Sequence, residues 1–121
     1  MTIRCGIDMI EIERIRRGID RFGDRFLNRF FTANERAACA DQPHRLAARY
    51  AGKEAVAKAL GTGIGDISWQ EIEILPDARG RPVLHLHGAA AALAAEIGLH
   101  QWDISLTHTE TLASAVVVAG P

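Results

Sequence analysis

A single long helix is the dominant element that the sequence predicts. Pro43 suits the first turn of a helix, the segment after it is rich in alanine, and Gly61 is a typical C-terminal stop. The pattern therefore predicts a helix from Pro43 to about Leu60. At 121 residues the chain can enclose one modest hydrophobic core and is too short for two. Residues 1–121 are therefore expected to form one domain.

Shorter strands and helices flank this helix in the sequence. Residues 3–10 are mostly apolar and β-branched, which predicts a buried strand in which Asp8 is the only acidic residue. Residues 67–75 and 83–87 alternate apolar and polar side chains around a turn at 76–80, which predicts a hairpin. The other predicted elements are helices at 11–21, 33–41 and 89–97 and strands at 102–107 and 112–118. This mixed order favours an α+β domain, with a mostly antiparallel sheet packed with the long helix and shorter helices, over a doubly wound parallel sheet.

Composition and charge argue against several classes of protein. The 14 basic and 15 acidic residues give a formal net charge of -1, which argues against broad nucleic-acid binding and against a polybasic membrane anchor. No apolar run approaches the roughly 20 residues of a membrane span, and the N-terminal segment lacks a secretion signal. Cys5 and Cys39 form no disulfide framework or CxxC pair. We therefore expect a soluble, cytoplasmic protein.

An acid and a base on the long helix are the first candidates for chemistry. Glu54 and Lys58 are four residues apart, so they share one helical face. A surface salt bridge is the commonest fate of such a pair. The segment 61–65 that follows, GTGIG, adds weight to a functional interpretation because its free backbone N–H groups allow close approach of a diphosphate. It is not a Walker motif, since the Gly-Lys-Ser/Thr ending is missing.

Asp8, on the first predicted strand, admits two interpretations. A lone buried carboxylate is usually satisfied by backbone donors or by an arginine. If Asp8 instead lies beside Glu54, the two carboxylates form a plausible magnesium site. Mg²⁺ is typically bound by one or two carboxylates, with water and substrate phosphate oxygens in its remaining positions.

Three further groups of residues give weaker signals. Segment 105–109, SLTHT, ends a predicted strand with hydroxyl and imidazole groups that either bind a phosphate or cap a turn. His85 and His87 share a strand face, where a solvated pair is commoner than half of a zinc site without cysteine ligands. A basic strip in 14–25, with phenylalanines beside it, is either a solvated helix face or a dock for an acidic helical partner.

In this order, the motifs resemble the holo-[acyl-carrier-protein] synthases, the small 4'-phosphopantetheinyl transferases. The resemblance spans nearly the whole chain, with two departures: the family more often has alanine at the position of Gly52 and lysine at the position of Arg81. The segments that carry it are GIDMIEI at 6–12, RFFT at 29–32 with Glu35, RYAGKEA at 49–55, KALGTGI at 58–64, IEI at 72–74, GRP at 80–82 and SLTHT at 105–109.

The resemblance implies both a fold and an activity. The fold would be the α+β fold of the 4'-phosphopantetheinyl transferases. The enzyme would transfer phosphopantetheine from coenzyme A to a serine of apo acyl carrier protein, release adenosine 3',5'-bisphosphate and serve fatty acid biosynthesis and lipid metabolism. It would be a homotrimer with active sites between neighbouring subunits. The sequence does not separate a fatty-acid carrier from a polyketide carrier.

The resemblance also implies roles for individual residues. Asp8 and Glu54 would hold Mg²⁺, Lys58 would neutralise the phosphate or assist the leaving bisphosphate, and Glu54 is the candidate for accepting the serine proton. The residues that would hold coenzyme A are Arg49, Lys58, Gly61, Thr62, Gly63, Ile64, Arg81, Pro82, His108 and Thr109. Those that would contact the carrier are Arg14, Arg21, Arg25, Phe22 and Phe26.

Two rival functions belong to other classes. A non-catalytic module that binds coenzyme A or a carrier protein would keep the basic strip and the glycine segment, but it would not need both Asp8 and Glu54. A metal-dependent phosphohydrolase could use Asp8, Glu54 and Lys58 equally well. Its product, free phosphopantetheine or phosphate, separates it from a transferase.

Overall fold

Five strands and five α-helices form the part of the chain, residues 2–121, that the computed structural model describes. The strands are β1 (Arg4–Glu11), β2 (Ile72–Pro76), β3 (Pro82–Leu86), β4 (Gln101–His108) and β5 (Leu112–Gly120). The helices are α1 (Ile12–Phe22), α2 (Asp24–Phe30), α3 (Ala33–Cys39), α4 (Pro43–Leu60) and α5 (Gly88–Glu96). The predicted long helix is confirmed at both ends.

The strands form two antiparallel sheets. β5 lies between β1 and β4 in a three-stranded sheet, while β2 and β3 form a separate hairpin. The α+β class and the antiparallel pairing are thus confirmed. The sequence did not show the division into two sheets, since strand pairing depends on contacts between distant segments.

Small residues let α4 approach the three-stranded sheet closely. Ala51, Ala55 and Ala59 are fully buried on this helix. At Gly6 on β1 the approach is so close that a Cβ atom would lie 1.9 Å from the backbone oxygen of Ala55. This contact brings β1, which carries Asp8, against the helix that carries Glu54.

The prediction that the first strand is buried was wrong for one of its faces. β1 packs one face on α4, but Ile7 and Met9 on its other face are 64% and 61% exposed, and Ile3, just before the strand, is 77% exposed. Val116 and Val118 of the adjacent β5 are exposed beside them. We call these five residues the outer apolar face. An apolar run predicts burial of both faces of a strand, whereas the fold covers only the face that packs on α4.

Two other local predictions also needed correction. The first part of the predicted strand 67–75 contains a 3-10 turn at Trp69–Glu71, and β2 begins only at Ile72. The sequence also did not predict α2, which follows Gly23 at a φ of 56°. A capping box starts α3, because the Thr32 hydroxyl accepts from the Glu35 N–H while the Glu35 carboxylate accepts from the Thr32 N–H.

A search of the described residues for a bilayer-crossing helix found no candidate with the required length and apolar character.

Candidate active site

β1 and α4 bring together the three residues that the sequence proposed for chemistry. Asp8 and Lys58 are 50 positions apart in the chain, yet the Lys58 Nζ lies 3.3 Å from Asp8 Oδ1. The same ammonium donates a hydrogen bond of 2.9 Å to the backbone oxygen of Ile7. A lysine ammonium has three protons. The third has no acceptor among the described residues and is available to a ligand beside Asp8.

Glu54 completes this group from the turn of α4 that precedes Lys58. Burial raises the pKa of the Glu54 carboxyl, and the negative charge of Asp8 raises it further. Lys58 and Arg14 act in the opposite direction without cancelling the rise. Glu54 is thus partly buried and within range of the Asp8 charge. The hard oxygen donors of the two carboxylates suit a divalent cation such as Mg²⁺.

The glycine segment lies at the end of α4, one turn beyond Lys58. Gly61 ends the helix at a φ of 78°, and Gly63 has open space where a side chain would be. The Thr62 hydroxyl donates to Asp66 at 3.0 Å, which closes the loop on itself. Arg4 of β1, which the sequence did not single out, reaches Ala59 O beside this loop at 3.4 Å. The expectation of free backbone N–H groups holds for only part of this loop, because those of Gly61, Thr62 and Gly65 donate to backbone oxygens of the described chain. The open side of the loop at Gly63 therefore offers a phosphate the N–H groups of Gly63 and Ile64, with the Arg4 guanidinium nearby.

A second group of basic residues lines a cavity of about 310 Å³ at the first turns of α4. Arg49 and His108, both predicted, lie in it together with Arg45, which was not predicted. The Arg49 Nε atom is buried and has no hydrogen-bond partner among the described residues. An unpaired buried donor is costly, so this cavity fits an anion that would accept from Arg49.

His44 adds an imidazole to the same cluster. Its ring lies 5.0 Å from that of His108. Burial, and then the positive charges of His108 and Arg45, lower the pKa of His44. The spacing of Arg45 and Arg49, four residues apart on one helix, is the signal in the sequence that could have revealed this cluster.

Thr109 adopts the turn-capping arrangement that the sequence left open. Its hydroxyl accepts from the Thr111 N–H at 3.3 Å and from the Leu112 N–H at 3.1 Å. It thus closes the turn between β4 and β5, next to His108.

Arg81 and Pro82 lie apart from Asp8 and Glu54. The Arg81 Nη2 atom donates to both carboxylate oxygens of Asp103 of β4, at 2.7 and 2.9 Å. Arg81, Pro82 and Asp103 line a groove that continues to Val116 and Val118 of the outer apolar face. Within one chain, these two predicted ligands of coenzyme A therefore face the exposed side of the sheet.

The basic strip presents one aromatic ring to solvent. The guanidinium groups of Arg21 and Arg25 lie over the Phe22 ring, 5.2 and 5.7 Å from its centre, and Phe22 is 48% exposed. Phe26 is turned inward and packs against Gly18 and Phe30. Arg14 is exposed on α1, and its charge acts on Glu54. The exposed patch is thus centred on Phe22 rather than on both phenylalanines.

Comparisons with known proteins find relatives along nearly the whole chain. A family model described as the 4'-phosphopantetheinyl transferase superfamily matches residues 4–117. Holo-[acyl-carrier-protein] synthases from Herpetosiphon aurantiacus and Solidesulfovibrio magneticus are 46% and 50% identical over 120 and 115 residues. Each alignment covers 93% of this chain and 94% of the relative. The crystal structure of Helicobacter pylori holo-[acyl-carrier-protein] synthase in complex with coenzyme A has a TM-score of 0.88 and 32% identity, covering 96% of this chain and 99% of that chain.

Proposed function

This chain belongs to the 4'-phosphopantetheinyl transferase superfamily, and we propose that it is a holo-[acyl-carrier-protein] synthase whose residues 1–121 form one transferase domain. It would move 4'-phosphopantetheine from coenzyme A to a serine of apo acyl carrier protein. The observation that carries this proposal is the convergence of Asp8, Glu54 and Lys58 beside an open glycine loop. Relatives named for the same activity, at 46% and 50% identity, support it.

The reaction assigns distinct tasks to these side chains. The serine oxygen of the carrier attacks the phosphorus next to the pantetheine arm, and adenosine 3',5'-bisphosphate leaves with the electrons of the broken P–O bond. Glu54 faces this space and is our candidate for accepting the serine proton. Lys58 has a free N–H proton for the phosphate oxygens, so it stabilises the charge that grows on them in the transition state.

Mg²⁺ is the cation that we propose for Asp8 and Glu54. Their carboxylate oxygens are the donors that Mg²⁺ prefers. Burial, and then the negative charge of Asp8, raise the pKa of Glu54, and a bound cation would offset both effects. When bound, the ion supplies neutralisation of the diphosphate and polarisation of the attacked phosphorus.

The nucleotide end of coenzyme A would occupy the basic cavity and the loop. Arg49 and His108 line the cavity that fits an anion, so we propose that they hold a phosphate group. The loop of Gly61, Thr62, Gly63 and Ile64 would approach the diphosphate through its backbone. Thr109, Arg81 and Pro82 complete the proposed set, the last two by way of a neighbouring subunit.

Intact-mass spectrometry tests the proposed activity. Apo acyl carrier protein is incubated with this protein, coenzyme A and Mg²⁺, with a parallel sample in EDTA. We expect a mass gain of one phosphopantetheine in the first sample only. Free phosphopantetheine or phosphate without a modified carrier would instead support a phosphohydrolase. Coenzyme A binding without any product, across several apo carriers, would support a binding module.

The Phe22 patch is the proposed docking site for the acidic carrier. Arg21 and Arg25 flank an exposed aromatic ring there, so charges steer the carrier while the ring supplies an apolar anchor. Arg14 lies nearer the chemistry, because its charge reaches Glu54. Changes at Arg14 are therefore expected to affect turnover as well as docking.

Arg21→Glu is expected to raise KM for the carrier by about tenfold, since reversing one charge at a docking rim costs on the order of 1.4 kcal/mol. KM for coenzyme A should stay within about twofold of the wild type, because Arg21 contacts no proposed coenzyme A ligand. Steady-state kinetics with each substrate varied in turn measures both constants. Higher ionic strength should likewise raise KM for the carrier more than KM for coenzyme A.

Arg16→Glu is the matched control, because Arg16 is on the same helix and its partner is Glu13 rather than the Phe22 patch. An equal rise in carrier KM for both variants would contradict the docking assignment.

A homotrimer with active sites between subunits is part of the proposal. Monomeric proteins rarely expose a large contiguous apolar patch, and the outer apolar face exposes five large side chains, four on the paired strands β1 and β5 and one just before β1. The groove of Arg81 and Pro82 opens onto this face. Assembly through it could bring these two residues to the Asp8 and Glu54 of a neighbour.

Val116→Glu is expected to convert the assembly to monomers and to lower transfer activity by at least about tenfold, because each added carboxylate would lose hydration in the interface. Size-exclusion chromatography with light scattering measures the mass. Ala95→Glu, at an exposed position of α5, should leave the mass unchanged. A wild type that is monomeric at assay concentration would contradict the proposal.

Two broader expectations, the cellular location and the process served, complete the functional proposal. Cys5 and Cys39 are free thiols, which fits the reducing cytoplasm. We propose fatty acid biosynthesis as the process served, and the choice between a fatty-acid and a polyketide carrier can be measured in the same mass assay.

A further inference from the structure

A fully buried ion pair lies on the side of α4 that faces away from Asp8. The side chains of Lys53 and Glu35 are both 0% exposed, and Lys53 Nζ lies 2.7 Å from Glu35 Oε1. The ammonium also donates to the backbone oxygens of Trp69, at 2.9 Å, and Ile72. All three of its protons therefore have acceptors. The reaction described above uses neither of these charges.

Glu35 connects this pair to two further elements. One carboxylate oxygen accepts from the Thr32 N–H at 3.0 Å, at the start of α3. The other accepts from the Ile74 N–H of β2, also at 3.0 Å. The pair thus ties α4 to α3, to the 3-10 turn and to β2 through bonds of defined direction.

Net stability does not account for such a pair. Removing two charges from water is expensive, and an apolar pair of similar volume is often as stable or more so. Directional hydrogen bonds instead specify geometry, and α4 needs such specification. Six of its eleven buried residues are alanine, and Leu46, Val56 and Leu60 are the larger apolar ones among them. The close contact of Gly6 with Ala55 sets how near the helix lies to β1, but small alanine side chains do little to fix its rotation.

The rotation of α4 determines where Glu54 points. Lys53 and Glu54 are consecutive, so their side chains leave the helix about 100° apart. On the Asp8 side the helix is held by Lys58, which bonds to Ile7 O and Asp8. On the opposite side it is held by Lys53. Two attachments on different sides of one helix fix its rotation about its own axis. A single attachment would let the helix pivot about that point.

We infer that Lys53 and Glu35 are positioning residues, which fix the rotation of α4 so that the Glu54 carboxylate meets Asp8 in the geometry that a divalent cation requires. This inference rests on the proposed function, because it takes Asp8 and Glu54 as the cation ligands. Lys53 itself contacts neither ligand nor substrate. Groups that orient metal ligands typically change metal affinity by about 10- to 100-fold when they are removed.

The test compares stability with the coupling between Mg²⁺ and coenzyme A. Isothermal titration calorimetry measures the dissociation constant for coenzyme A with Mg²⁺ and in EDTA, without any carrier, and the ratio of the two constants is the coupling. Thermal unfolding in EDTA gives the Tm of each variant. Lys53→Met alone leaves the buried Glu35 carboxylate without its cationic partner, so this variant is expected to have the lowest Tm of the set.

The informative variant is Lys53→Met/Glu35→Gln, which removes both charges and keeps one acceptor oxygen at position 35. We expect it to recover much of the Tm lost by the single variant, while its Mg²⁺ coupling falls by about tenfold from the wild-type value. Arg36→Met is the matched control. Arg36 pairs with Asp24 and Asp41 and makes no bond to α4, so its Mg²⁺ coupling should match the wild type.

Three results would overturn the inference. Mg²⁺ coupling within twofold of the wild type in the double variant would make the pair purely structural. An equal loss in Arg36→Met would show that any weakened packing has the same effect. A wild type without Mg²⁺ coupling would remove the proposed cation site, and the inference with it.

Discussion

Replacing Glu54 by alanine is expected to lower kcat/KM by about 10³-fold, because the change removes the proposed proton acceptor, a role that contributes about 10²–10⁴-fold, together with a proposed cation ligand. Asp8→Ala should have a similar effect, because only these two carboxylates face the space beside Lys58 in the described site. Intact-mass detection of modified carrier over a long incubation measures the residual rate. A fully active Glu54→Ala enzyme would contradict the mechanism.

Glu54→Gln separates loss of chemistry from loss of fold. The pKa of Glu54 is raised above its ordinary value of 4.5, so the folded state favours the protonated form. The protonated Glu54 carboxyl therefore contributes its full stabilisation of the fold below pH 4.5. This contribution is lost as the pH rises through the raised pKa of Glu54. At pH 7 the charged carboxylate is therefore a net cost in the protein without metal. Glu54→Gln should be inactive and yet have a Tm in EDTA at least as high as that of the wild type.

Local signals were sufficient for most of the elements. Pro43 and Gly61 bound α4 as predicted, and the capping box of Thr32 and Glu35 starts α3. These signals work because capping and helix termination involve residues within one turn of each other. α2 was not predicted, because it begins after Gly23 inside a segment of interleaved phenylalanines and arginines. That pattern has no local signal that marks the start of a second helix.

Residues that act at long range were harder to interpret. The sequence placed Glu54 and Lys58 on one helical face, but only the pairing of β1 with α4 puts Asp8 beside them. Lys53 is in the same motif, yet no local pattern indicates that it is buried, because its partner Glu35 is 18 positions away. Arg81 is the opposite case, because it was predicted for the same site as Asp8 but lies apart from it within one chain. Its ion pair with Asp103 and its groove place it away from Asp8 within one chain.

The close contact between β1 and α4 predicts a large loss of stability when a side chain is added at Gly6. Gly6→Ala would place a methyl group 1.9 Å from the Ala55 backbone oxygen. Neither atom belongs to a flexible side chain, so the strand and the helix must separate. Overpacking of a core costs about 1–3 kcal/mol and occasionally more. We expect a loss at the upper end, about 3 kcal/mol, measured by urea unfolding.

Gly120→Ala is the control for this change, because Gly120 is also in a strand of the same sheet and has open space at its Cβ position. Its stability should stay within about 0.5 kcal/mol of the wild type, as for most substitutions away from special features. Separation of β1 from α4 would also carry Asp8, two residues beyond Gly6, away from Glu54. The folded fraction of Gly6→Ala should therefore transfer more slowly than the wild type, whereas a stable and fully active variant would show that the two elements can move apart without cost to the site.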